Sequence, residues 1–212
     1  MYSREPKAKP LNIGKRLVVT RSGASGKGPS YLVVPAGAAF GTGQHVTTAM
    51  SLRLLEQITR GRKAGWSLAD LGTGSAILAL AAKRFGAGRV FAVDNDPWAI
   101  ATAKANARLN KIRGIDFRVA DARSWRPASK IHIVTANLFS ELLIETMPNL
   151  RRYLSTRAQV ILSGVLRQQE RKVIRALRAN KFSVMEVRRR GKWIAILALK
   201  AFDGAKQRPQ DS

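Results

Sequence analysis

The segment Leu68-Ala-Asp-Leu-Gly-Thr-Gly-Ser-Ala-Ile-Leu78, with Asp94 further on, has the residue types and spacing of a site for a small polar cofactor. An apolar run carries Asp70, a turn follows with Gly72 and Gly74, and an Ala/Leu-rich helical pattern begins. The glycines permit a tight turn and let backbone approach a ligand. The start of the helix presents unpaired N–H groups, which suit a carboxylate or phosphate. Asp94 closes a second apolar run, Arg89-Val-Phe-Ala-Val-Asp94. An acid roughly 20 residues past such glycines suits a ribose diol.

A dinucleotide fingerprint needs a third glycine, which would fall at Ile77. A branched side chain there is hard to reconcile with a close pyrophosphate. The pattern Asp70-x-Gly72-x-Gly74 fits an S-adenosylmethionine loop instead. In that arrangement the acid orients the methionine amino group, and the backbone of Gly72, Thr73 and Gly74 lines the amino-acid end. Ala76 stands where that pattern has one more glycine.

The elements that must position these residues alternate. Strands are expected at Ser67–Leu71, Arg89–Asp94, 116–120, 131–136 and 159–163. Helices are expected at 47–59, 75–85, 97–110, 139–153 (interrupted near Pro148) and 168–180. Asp96 is placed to cap the third helix, with Pro97 in its first turn. Residues 182–188 and Trp193–Lys200 pair as a terminal hairpin. Short extended pieces at Leu17–Thr20 and 31–35 precede all of this. Such alternation argues a Rossmann-like α/β fold: a seven-stranded, mostly parallel sheet with one antiparallel strand and helices on both faces. That is the plan of the class I methyltransferase fold. The chain divides into a basic N-terminal extension and cofactor-covering loop at 1–46, a Rossmann-like domain at 47–203 and a polar tail at 204–212.

The chain has 212 residues, no cysteine and two histidines. Disulfides and thiolate metal sites are excluded, and no metal site is expected. No apolar run suggests a membrane span, and the start lacks the apolar core of a secretory signal, which fits a cytoplasmic enzyme. Lys and Arg number 38 against 13 Asp and Glu, a net charge of +25. Thirteen of the cations fall between Arg151 and Lys192, against Glu170 and Glu186. Such an excess is either a solvated face or a contact for RNA or a ribonucleoprotein.

Two further segments sharpen the reading. Ala39-Phe-Gly-Thr-Gly-Gln-His-Val-Thr-Thr48 precedes the first helix, which Thr47 or Thr48 can cap. Val134-Thr-Ala-Asn-Leu-Phe139 ends the fourth Rossmann strand, and ligands of open α/β sheets sit beyond such ends. Asn137 is therefore either beside the cofactor or a helix N-cap. These segments, with Asp70-Leu-Gly-Thr-Gly74, Ala92-Val-Asp-Asn-Asp-Pro97, Ala136-Asn-Leu138 and Leu162-Ser-Gly-Val-Leu166, occur in an order that resembles the PrmA family. Its members methylate amino groups on protein eleven of the large ribosomal subunit. The resemblance runs from about Pro10 to Ala201.

The resemblance implies S-adenosyl-L-methionine as cofactor and a ribosomal protein as substrate. It matches Thr48, Gly72, Asp94 and Asn137 to cofactor contacts, and Phe40, Gly41 and Thr42 to a loop packed over the cofactor. Asn137 would also hold the acceptor amine. Asn95, beside Asp94, joins the cofactor set. So do Asp121 and Ala122, where class geometry suits the adenine amino group. It further implies a small N-terminal domain that grips the ribosomal protein. About thirty residues precede Tyr31, too few for it, and residues 9–19 resemble the linker that follows it. The expected chemistry is in-line methyl transfer to a nitrogen. A lysine amine, with a pKa of about 10.4, must first lose its proton. His45 is read as a loop residue, His132 as a packed imidazole, and Trp98 as a possible cover for an adenine ring. An RNA methyltransferase and a non-catalytic cofactor-binding, ribosome-associated module are the alternatives.

Overall fold

The computed structural model describes residues 9–22, 29–35 and 45–201. Three short strands come first: β1 (Leu11–Ile13), β2 (Leu17–Thr20) and β3 (Ser30–Val33). The alternating body follows with α1 (Val46–Thr59), β4 (Ser67–Leu71), α2 (Ile77–Arg84), β5 (Arg89–Asp94), α3 (Pro97–Leu109) and β6 (Ile115–Val119). It continues through β7 (Ile131–Asn137), α4 (Ser140–Tyr153), β8 (Leu154–Leu166), α5 (Glu170–Ala179), β9 (Phe182–Arg190) and β10 (Trp193–Lys200). The main sheet runs β6-β5-β4-β7-β8-β10-β9. It is parallel from β6 to β8, and β10 lies antiparallel between β8 and β9. The expected Rossmann-like sheet, with its single antiparallel strand, is therefore present. Strand order reverses between β4 and β7, which opens a crevice at their carboxyl ends.

Period-two alternation inside apolar strands sends side chains to two cores. Leu68, Val90, Ala92, Ile133, Ile161, Ala195 and Leu197 face α1, α2 and α3. Ala69, Leu71, Val93, Val134, Val160, Leu162, Ile194 and Ile196 face α4 and α5. Strands buried on both faces read as almost continuous hydrophobic runs for that reason. In α2, Ile77-Leu-Ala-Leu-Ala-Ala82 is buried throughout, and its alanines let the helix lie close on the sheet.

The small sheet docks on the same core through Ile13, Leu17, Val19 and Leu32. Asn110 bonds it like an extra strand. Its Oδ1 accepts from the Val33 amide at 2.7 Å and its Nδ2 donates to the Val33 carbonyl at 2.7 Å. The Arg16 guanidinium lies 4.4 Å from the Phe85 ring centre and donates to Thr59 Oγ1 at 3.2 Å. Among the described residues no helix is long and apolar enough to cross a membrane.

Three local expectations change. The helix over 139–153 does not break at Pro148, since α4 runs unbroken from Ser140 to Tyr153. Leu143, Met147, Leu150 and Tyr153 recur on one face and are all buried. Burying each such side chain is worth about 1.5–3 kcal/mol, which together exceeds the ~3 kcal/mol intrinsic cost of an interior proline. Strand β8 spans 13 residues, well beyond 159–163. Its polar start, Ser155-Thr-Arg157, hides a strand that follows α4 directly. Finally, Thr47 and Thr48 do not cap α1. His45 is the N-cap residue, with extended backbone, and both threonines sit inside the first turn.

Pro148 is exposed, and an alanine there regains an amide N–H facing the Ile144 carbonyl. Pro148→Ala should stabilise the chain by about 1–2 kcal/mol, after the entropy gained by the unfolded chain is discounted. Urea denaturation measures it. Unchanged or lower stability would mean that the packing depends on the proline ring.

Candidate functional site

Asp70 is the anchor of the glycine turn. Its side chain is buried at the end of β4, where it accepts from Thr73 Oγ1 at 2.6 Å and from Thr135 Oγ1 at 2.7 Å. The loop is thereby tied to β7. Burial pushes its carboxyl up to about 7; the two threonine hydroxyls and the Ala79 amide oppose that, and Asp94 adds to it. Thr73 N–H donates to the Val93 carbonyl at 2.9 Å, and Gly74 N–H donates to Asp94 Oδ2 at 2.9 Å. Asp94 Oδ1 accepts from the Asp96 amide at 3.1 Å. Asp96 in turn caps α3 through the Trp98 amide at 2.8 Å, as its position before Pro97 implies. The turn ends at Ala76, which holds the left-handed conformation (φ 63°) before α2.

Two glycines make room for the segment after β7. At Gly164 (φ 82°) a Cβ would fall 2.5 Å from the Leu138 carbonyl oxygen, and at Gly72 (φ 66°) it would strike the Leu138 side chain. Leu138 thus lies between the ends of β4 and β8, and its N–H donates to the Ser163 carbonyl at 3.0 Å. The N-cap residue of α4 is Phe139. Asn137 therefore does not cap the helix; it ends β7 beside the crevice. Its Nδ2 donates weakly to Thr48 Oγ1 at 3.4 Å. Its Oδ1 is buried and has no hydrogen-bond partner among the described residues. A buried acceptor left unpaired costs about 1–3 kcal/mol, and one kept at a cavity wall marks a place for a ligand donor.

The cavity at these strand ends measures about 660 Å³. Of the residues expected at a cofactor site, Gly72, Gly74, Asp94, Asn95, Asp121, Ala122 and Asn137 line it together. Asp70, Thr73 and Thr48 do not. They are buried behind the wall, where the first two hold the loop and the third holds Asn137. Phe40, Gly41 and Thr42 lie outside the described residues. Trp98 is 83% exposed and is not among the residues that line the cavity. His132 stands at the opposite end of β7 from Asn137, with its Nδ1 2.8 Å from Ser67 Oγ, and burial lowers its pKa.

Further wall residues were not among the expected cofactor contacts. Trp193 comes from β10, and the His45 ring meets its indole edge-on at 5.1 Å. Phe139, 76% exposed, stands at the mouth with Glu141 and Glu145. Arg123 donates to Asp121 Oδ2 at 2.6 Å and reaches Glu145 Oε2 at 3.3 Å. Those hydrogen bonds hold the Asp121 carboxyl below the usual range and raise the guanidinium pKa. Glu141 is held low by the Ser140 hydroxyl and then by Lys172. The wall thus carries four carboxylates (Asp94, Asp121, Glu141 and Glu145) against one guanidinium, in a chain of net charge +25. Among the additions, His45, Thr47, Leu138, Phe139 and Gly164 lay inside segments already singled out in the sequence.

Comparison with known proteins gives a consistent result. The family model described as "Ribosomal protein L11 methyltransferase (PrmA)" matches residues 3–201. The chain is 37% identical over 201 residues to the ribosomal protein L11 methyltransferase of Pelobacter propionicus, covering 91% of this chain and 64% of that protein. It is 37% identical over 172 residues to that of Lacticaseibacillus paracasei, covering 81% and 53%. The chain thus spans roughly half to two thirds of the length of these curated relatives. A crystal structure of ribosomal protein L11 methylase from Lactobacillus delbrueckii subsp. bulgaricus superposes with a TM-score of 0.82 at 29% identity, over 92% of this chain and all of that one. The fold is the class I methyltransferase fold.

Two outcomes test the local architecture. Asp70 binds its proton more tightly in the folded chain than at its ordinary 3.8, so its contribution to stability is full below that value and is lost as pH rises through about 7. His132, lowered by burial, acts in the opposite sense. The difference between the wild type and Asp70→Asn therefore isolates the carboxyl. In urea titrations at pH 5 to 8, the wild type should lose stability relative to the variant, and a constant difference would refute the raised pKa. Gly164→Ala should cost about 2–4 kcal/mol through left-handed strain and the clash with the Leu138 carbonyl. A loss under 1 kcal/mol would show that the segment moves freely.

Proposed function

The chain belongs to the ribosomal protein L11 methyltransferase (PrmA) family, and from that membership and the geometry of its cavity we propose that it transfers methyl groups from S-adenosylmethionine to amino groups of ribosomal protein L11. The observation that carries the reading is the unpartnered Oδ1 of Asn137 at the wall of a cavity whose floor is the Gly72–Gly74 turn. A ribosomal substrate implies work in the cytoplasm.

The residues fit the cofactor. Glycines at positive φ leave backbone free to face it, and Asp94 retains lone pairs beyond those taken by Gly74 and Asp96 for a ribose diol. Asn95 continues that side of the wall, while Asp121 and Ala122 are set for the adenine edge. We assign Asp70, Thr73 and Thr48 to holding the loop and Asn137 in place. When bound, S-adenosylmethionine supplies an electrophilic methyl group.

Asn137 Oδ1 accepts a hydrogen bond from the acceptor amine and so aims its lone pair. The excess of acid on the wall, four carboxylates against the one guanidinium of Arg123, draws a lysine ammonium to the mouth. Desolvation past Phe139 and Leu142, which both line the cavity, then favours the neutral amine, and the proton leaves to water at the mouth. Positioning does most of the work in such a site, and no dedicated base is required. The same carboxylates argue against an RNA acceptor, whose phosphates they would repel.

Asn137→Ala should reduce transfer of radiolabelled methyl groups into L11 by on the order of 10²-fold. Its S-adenosylmethionine affinity, measured by calorimetry, should change only a few-fold. Undiminished transfer would remove Asn137 from the mechanism, and label in RNA instead of protein would overturn the substrate.

A further inference from the structure

The thirteen cations between Arg151 and Lys192 are not scattered. Arg171, Arg175 and Arg178 stand at i, i+4 and i+7 of α5, and Arg167 stands one turn before them. Residues so spaced share one helix face. It is the face opposite Val173 and Leu177, the buried side chains of α5. All four arginines are exposed, and none makes an ion pair or side-chain hydrogen bond among the described residues. Their neighbours are neutralised: Lys172 pairs with Glu141, and Arg189 with Glu170. The stripe continues onto the hairpin turn, because Arg167 N–H donates to the Lys192 carbonyl at 2.8 Å. Exposed Arg190 and Lys192 lie there, next to Trp193 of the cavity wall.

Like charges at i and i+4 destabilise a helix. Here they are stacked along α5, about 15 Å, and the one carboxylate of that helix, Glu170, is held by Arg189. A bound polyanion relieves that repulsion. Five of the six cations are arginines, whose planar forks suit phosphate oxygens in pairs. An interfacial membrane helix keeps an apolar face free for lipid, whereas the apolar face of α5 is spent on the core.

We propose that the stripe from Arg178 through Arg167 to Lys192 is a docking track for the phosphate backbone of RNA, leading to the mouth of the cavity. The choice of RNA as the polyanion rests on the reading of the chain as a ribosomal protein methyltransferase; the stripe itself does not. The track grips phosphate while the acidic mouth beside it receives a lysine.

The test is fluorescence anisotropy of a labelled single-stranded RNA of about 20 nucleotides with the full chain, at several KCl concentrations around 0.1 M. The triple variant Arg171→Gln, Arg175→Gln, Arg178→Gln keeps helix propensity and removes three charges. It should weaken binding at least tenfold and lower the slope of log K against log salt by about 2. Lys104→Gln, Arg108→Gln, Arg113→Gln removes the same charge from exposed positions on and just after α3 and should change little. Equal weakening by both sets would overturn the proposal, as would stripe-dependent binding to phosphatidylglycerol vesicles or poly-glutamate that matches binding to RNA. Should the helix variant fail to fold, Arg190→Gln with Lys192→Gln carries the same test, with a slope change of about 1.4. RNA binding through the stripe without methyl transfer into L11 would sustain the track and sink the proposed function. Methyl transfer without RNA binding would do the reverse.

Discussion

A buried carboxylate that is not on the cavity wall governs the site. Asp70 joins the end of β4, the glycine turn and β7 through two threonine hydroxyls. With Thr73 so held, the turn can place Gly74 against Asp94 and its own N–H against Val93. Each of these bonds uses a group that the turn would otherwise leave unpaired. The cost is a carboxyl removed from water, visible in its raised pKa. The hydroxyls compensate part of it, as buried polar groups require.

Space is the second constraint. The ligand crevice of an open α/β sheet opens where strand order reverses, here between β4 and β7. The chain leaving β7 must cross there without filling it. Gly72, in the turn after β4, and Gly164, in β8, let Leu138 sit down between them. Asn137 stays at the wall as a result, with its oxygen unpaired and its nitrogen toward Thr48. One side chain settled by neighbours on both sides converts a strand end into a site.

Charge is sorted by place. Four of the thirteen acids line one cavity, while the outer face of α5 carries none. Screening over about 10 Å at ordinary salt lets an acidic mouth and a basic flank act separately although they adjoin. Net charge alone left a solvated face and a contact for RNA or a ribonucleoprotein equally open. The cavity wall is acidic and the outer face of α5 is basic.

Local pattern determined the alternation of elements, the parallel sheet with its final antiparallel strand, the glycine turn, the acid at the end of β5 and the cap at Asp96. Each is written in a few adjacent residues, because apolar period, turn chemistry and capping act over one or two turns of chain. Where a local signal met a long-range demand, tertiary burial prevailed. Pro148 stayed inside α4, and the polar start of β8 became a strand. The remaining wall of the site was invisible for the same reason. Trp193 lies far from Gly72 in the chain and joins it only because β10 inserts beside β8. Whether Asp70 faces a ligand or two threonines depends on Thr135, supplied by a strand 65 residues away. Residue types announced a cofactor loop, but only the packing of strands from distant parts of the chain decided which polar groups were consumed and which oxygen was left unpaired.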